Sequence, residues 1–254
     1  MTTAASVRAA PARAVFAPYH RWDRNFFLTY VVLFWVGVLM GFTPEIVHRA
    51  QHHEVYPAIV YAHGVAFVGW LVLLTAQVLL IRTRRQATHR KLGVAGMALA
   101  GLMVVLGPAA AIAAQRLEMG TADADPAFLS VQLLDIVGFA ALAGAAFALR
   151  REPAAHKRLI LLATLCIIDA GFARWWGGAI HKRLGDGVGP FFAQIYLANF
   201  LLILGIGAYD LATRRRLHPA YAVGAVWALV VLTTASWLYY YPPWKAFAVG
   251  LIGR

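Results

Sequence analysis

Along the chain, long apolar runs alternate with short breaks rich in Pro, Gly and charge. The runs cover residues 26–42, 57–81, 92–115, 127–149, 159–178, 190–212 and 220–241. A hydrocarbon layer about 30 Å thick needs about 20 apolar residues to be crossed as a helix. No water is present there to bond backbone N–H and C=O groups, so each run is predicted to be a helix with its bonds internal. The breaks are Thr43-Pro44, the basic stretch 82–91, then 123–126, 150–153, 185–190 and His218-Pro219. The expected fold is all-α: a polytopic membrane bundle of about seven transmembrane helices spanning 26–241. A tail, 1–25, precedes it and ends in the interfacial anchor Tyr19-His20-Arg21-Trp22. A short segment, 242–254, follows, and Trp244, Phe247 and Leu251 are expected on one face of an interfacial helix.

Composition agrees with this pattern. Of 254 residues 61% are hydrophobic and only 13% charged, about half the charge of a soluble domain. The net charge of +12 would raise nucleic acid as a partner in a soluble protein. Here Lys and Arg cluster at the ends of the runs, where they set orientation and meet lipid headgroups, so the lipid bilayer is the expected partner. Sixteen of the 23 Lys and Arg fall on the side of the N-terminus and six on the other, with Arg174 inside a run. This asymmetry predicts a cytoplasmic N-terminus and an external C-terminus. The single cysteine, Cys166, excludes an intrachain disulfide and a Cys-based zinc site. No G-x-S-x-G, Walker A, Rossmann or H-E-x-x-H motif occurs, so nucleotide use and nucleophilic hydrolysis have no support.

Ionisable groups inside a bilayer are costly and mark candidate sites. The candidates are His63, Asp135, Asp169 and Arg174. At 1.5 Å per residue, His63, Asp135 and Asp169 lie about 9, 12 and 13 Å below the outer ends of their helices. Gln132, Gln194, Asn199, Thr233 and Thr234 fall near the same level. If His63, Asp135 and Asp169 converge, a His with two carboxylates suits a metal such as iron or zinc, or a proton path. The same layer also fits plain interhelical packing. Asp169 and Arg174 are about 140° apart around a helix and are not expected to pair, whereas Asp210 and Arg214 have the i, i+4 spacing of a structural pair. His48, His52 and His53, beside Glu45 and Glu54, have helical spacing that would suit a divalent ion.

A weak repeat adds a second candidate. Residues 84–92 (RRQATHRKL) resemble 151–159 (REPAAHKRL), and each stretch follows one apolar run and opens the next. His89 and His156 are therefore equivalent. Two imidazoles at the starts of neighbouring helices suit the axial ligation of a b-type haem (haem b). They equally suit basic residues snorkelling at the interface.

Ala62-His63-Gly64, His89-Arg90-Lys91-Leu92-Gly93, His156-Lys157-Arg158-Leu159 and the stretch from Thr213 to Pro219 resemble a widespread family of uncharacterised bacterial multi-pass membrane proteins. The likeness runs from Tyr30 onward and implies the bacterial inner membrane. A fainter resemblance is to the ascorbate-reducible dihaem cytochromes b, whose helices open with similar His-Arg segments. That resemblance implies haem held by histidines on four helices. Here the fourth run carries Asp135 and no histidine, a pattern that leaves room for one haem. Three functions follow as expectations: a b-type haem redox subunit, a His/Asp site handling metal, protons or a small molecule, and a non-catalytic membrane subunit.

Overall fold

The structure is a computed structural model that describes residues 16–53, 55–122 and 124–253. Its helices are α1 (Asp23–His52), α2 (Ala58–Arg82), α3 (Gln86–Glu118), α4 (Leu129–Ala148), α5 (Pro153–Phe172), α6 (Gly178–Leu184), α7 (Val188–Arg214), α8 (Pro219–Tyr239) and α9 (Pro242–Ile252). A 3₁₀ turn, Pro126–Phe128, leads into α4, and a π-helical segment, Ala173–Gly177, joins α5 to α6 without a break. Seven spans are long and apolar enough to cross a membrane, with α5, the π segment and α6 forming one of them. Proline opens α5, α8 and α9, as well as the 3₁₀ turn. Its missing N–H is no loss in a first helical turn.

Most ends fall within a few residues of the sequence reading; four differ, the fifth span running on to Leu184 where the apolar run stops at 178. Thr43-Pro44 does not stop α1, which continues through Pro44 to His52. The α3 and α5 helices start six residues earlier than their apolar runs, because their basic first turns are already helical. Tail residues 1–15, along with Glu54, Asp123 and Arg254, lie outside the described residues.

Consecutive spans run in opposite directions. We call the face with the start of α1 the N-face and its opposite, which carries α9, the C-face. The α2–α3 and α4–α5 hairpins form close pairs, α3 packs on α4, and α1 closes the ring by touching α2 and α5. α5 also touches α7 and α8, so it is the central helix, with 61% of its apolar window buried against 22% for α2. Outward-facing residues are apolar: Val65 is 75% exposed and Val223 72%. Such a surface suits lipid and would be poorly placed in water.

Close approach of α1 and α5 rests on glycine. A Cβ on Gly41 would run into the Gly171 carbonyl, and one on Gly171 would lie 2.6 Å from the Gly37 oxygen. Small residues spaced four apart let membrane helices approach to backbone contact. At the C-face α9 seals the bundle: Trp244 donates to the Ala127 carbonyl at 3.0 Å, and Ala248 and Ile252 are buried beside Ala111 and Leu129. Leu251 and Trp244 join that contact, and Phe247, its ring 5.6 Å from that of Trp244, lies 59% exposed at the edge of the same face, as expected.

The N-face is tied by ion pairs. Asp23 accepts from Lys157 at 2.6 Å, from Tyr209 and from Arg214 at 3.0 Å. The fully buried Arg158 pairs with Asp210, which is fully buried too. The expected Asp210–Arg214 pair is therefore not formed. Each residue finds a partner on another helix, since Asp210 faces α5 and Arg214 faces the start of α1. Phe16 lies under the guanidinium groups of Arg158, Arg214 and Arg216.

Candidate functional site

Asp169 sits on the central helix one turn before the π segment, and Asp135 faces it from α4. Both are buried, at 3% and 6% exposure, and their carboxyl groups are close neighbours. Tyr196 of α7, fully buried, donates its phenol to Asp135 at 3.0 Å. Three residues further along α7, Asn199 donates to the Leu165 carbonyl at 2.5 Å. Its Oδ1 is buried and receives no hydrogen bond. Cys166 lies on α5 one turn from Asp169 and packs at the Gly138 backbone, 3.0 Å from where a Cβ would stand. Asp135 and Asp169 were expected at one depth, and here they meet.

His63 does not join them. It is half-buried on α2, its ring tilted against Phe67 with centres 4.0 Å apart, and its Nδ1 has no partner. Among the described residues no three His, Cys, Asp or Glu side chains are grouped to hold a metal ion. The three-residue convergence anticipated for a metal is thus corrected to a two-carboxylate contact. The reason is geometric: α2 packs on α1 and α3, whereas Asp135 and Asp169 face each other across the α4–α5 seam and toward α7.

The remaining polar residues disperse. Trp70 donates to Thr164 at 3.1 Å and stands edge-on to Phe139, filling the middle of the ring formed by α1–α5. Gln132 is half-buried with an unpartnered Oε1. Gln194 packs on Gly177 and lines a C-face cavity of about 250 Å³ with Phe128, His181, Asp186, Phe191 and Tyr239. Thr233 and Thr234 are exposed on the outside of α8 and leave the layer altogether. Arg174 reaches α1, pairing with Glu45 at 2.7 Å. Glu45 also accepts from Tyr56, which together with burial pushes that phenol up to about 12. The His48 and His52 rings lie tilted with centres 4.2 Å apart on the last turns of α1, and His52 Nδ1 lies 2.8 Å from the His48 carbonyl.

His89 and His156 are brought together at the N-face. Each is the fourth residue of its helix, so the sequence repeat is a structural repeat. Their ring centres are 6.4 Å apart and the planes cross at 84°. The His156 Nδ1 lies 2.8 Å from the Ala146 carbonyl, which leaves Nε2 as its free nitrogen. His89 has a buried, unpartnered Nδ1 and lies beside the Gln77 backbone. Two imidazoles at this spacing would hold one iron between them, one ring nitrogen each. The donor set and its spacing fit that group. Nearby, Gln77 has an unpartnered Oε1, and its Nε2 lies 3.6 Å from where a Cβ on Gly93 would stand.

Reasoning from the sequence missed four contributors. Tyr196 and Gly138 lie in apolar runs without distinguishing spacing. Gly37 and Gly41 did carry a signal, the four-residue spacing of small residues. Comparison with protein-family models, with curated proteins and with solved structures finds no match.

Proposed function

We propose that this chain is a bacterial inner-membrane protein, with its N-face cytoplasmic, that holds one haem b between His89 and His156 and passes single electrons. The observation that carries the reading is the 6.4 Å separation of two imidazoles from equivalent positions of a repeat. Haem b supplies reversible one-electron transfer when bound this way. The protein's part is to hold the rings. The Ala146 carbonyl selects the His156 tautomer that leaves Nε2 free, the arrangement metal-binding histidines commonly use. The basic N-face neighbours Arg90 and Lys91 suit anionic groups such as carboxylates at that level. Orientation rests on the excess of Lys and Arg at the N-face.

The test is a reduced-minus-oxidised absorption spectrum of the purified chain. A haem b signal is expected in the wild type. It should be lost in His89→Ala and in His156→Ala, both still inserted in the membrane, and kept in His63→Ala. A wild type without haem, or a signal that survives both ligand changes, overturns the reading.

A further inference from the structure

The Asp135–Asp169 contact has no role in holding a haem, yet it is an expensive feature for a membrane interior to maintain. Two carboxylate oxygens in contact repel unless a proton lies between them. Around them side-chain acceptors outnumber side-chain donors. The two carboxyl groups and the Asn199 Oδ1 all accept, and Tyr196 is the phenol that donates. Asn199 is fully buried, and it lies one turn along α7 from Tyr196 and opposite Leu165, one turn before Asp169. Its unpartnered oxygen is an independent sign that this pocket is built for something that brings protons.

The surroundings favour exchange with the C-face. Asp135 is seven residues, about 10 Å, from Phe128, which lines the C-face cavity. Packed side chains lie on both sides, Phe139, Leu162, Leu165 and Ile203 toward the N-face and Leu129, Val131 and Ile195 toward the C-face, so the shorter distance along α4 sets the direction. The π segment begins four residues beyond Asp169. Such segments break the regular i→i−4 ladder and are frequent at functional sites.

We propose that Asp135 and Asp169 form a proton-exchange site that takes up a proton from water on the C-face and returns it there. A carboxyl O–H bond forms and breaks, and no electron moves. The ionisable groups facing the pair are Tyr196 on α7 and Cys166 and Arg174 on the α5 helix and its π extension. The helices around it add little: α8 has none between Tyr221 and Tyr239, α1 none between Tyr30 and Glu45, α3 none between Lys91 and Arg116, and α2 only His63 between Tyr61 and Arg82. The inference does not depend on haem.

Infrared spectroscopy of the full chain in lipid nanodiscs tests it. At neutral pH the wild type should show the C=O band of a protonated carboxylic acid, shifting when ²H₂O replaces water. Asp135→Asn and Asp169→Asn should each remove that band. Tyr196→Phe, which keeps both carboxyl groups, should move the band without removing it. Gln194→Phe, which narrows the cavity floor, should slow the ²H shift several-fold. A missing band, a band indifferent to both Asn variants, or a band that never shifts in ²H₂O overturns the proposal. A ²H shift at the wild-type rate in Gln194→Phe overturns the C-face route. Loss of the band on adding sodium at constant pH makes this a cation site and overturns the proton reading.

Discussion

Single residues carry unequal shares of this structure, and Arg158 carries one of the largest. Its guanidinium is fully buried, bonds both oxygens of Asp210, and also donates to the Ala154 carbonyl at 2.7 Å. Removing one partner strands the other charge in the interior. Asp210→Ala should therefore lower unfolding stability in detergent by about 3–5 kcal/mol. Replacing both residues with apolar ones of similar volume should recover most of that loss in the same thermal assay. His218 offers a pH test. Its Nδ1 caps α8 by accepting from the Ala220 N–H at 3.1 Å, which a protonated ring cannot do. Burial, then the nearby Arg158, hold this imidazole below its ordinary 6.5. The unfolded chain then binds more protons, so this contribution is complete above about 6.5 and fades as pH falls toward the folded value. His218→Asn, which caps without titrating, should show a flatter decline in melting temperature between neutral and mildly acid pH. An unchanged pH slope would remove His218 from that role.

At the scale of elements, the α1–α5 crossing is the most constrained contact. Gly37, Gly41 and Gly171 allow backbone to meet backbone, and a methyl at Gly171 or Gly41 must push the helices apart. Gly41→Ala and Gly171→Ala should each destabilise by about 1–3 kcal/mol, the usual range for overpacking. Gly144→Ala meets nothing within 4 Å and should instead be neutral or slightly stabilising through helix propensity. Equal effects at Gly144 and Gly171 in denaturant titrations would refute close packing as the cause. The same crossing positions the candidate site. α1 presses on α5 at Gly171, two residues from Asp169, just before the π segment. Either glycine change should therefore also disturb the carboxylic acid band assigned to the Asp135–Asp169 pair.

For the whole molecule, charge and lipid exposure decide orientation and packing. Reporter fusions after Arg151 and Arg215 should be cytoplasmic, and those after Gly120 and Gly185 external. Reversal at any two of the four would overturn the orientation. That assay reads which face the basic N-face network of Asp23, Lys157, Arg158 and Arg214 occupies.

Much of this was legible along the chain. Seven spans, their approximate ends, the equivalence of His89 and His156, and the shared depth of Asp135 and Asp169 follow from periodic hydrophobicity and a fixed rise per residue. These are one-dimensional properties, because a bilayer imposes the same length and backbone bonding on every crossing. What lies beside what is a different matter. That α5 is central, that Asp135 meets Asp169 and Tyr196 while His63 stays apart, and that Asp210 chooses Arg158 over Arg214 were decided only by the tertiary structure. Lipid tails are as apolar as the helices themselves, so hydrophobicity does not rank one helix face above another. Neighbours are chosen instead by glycine contacts, buried hydrogen bonds and ion pairs between residues far apart in sequence, such as Gly41 with Gly171 and Arg158 with Asp210.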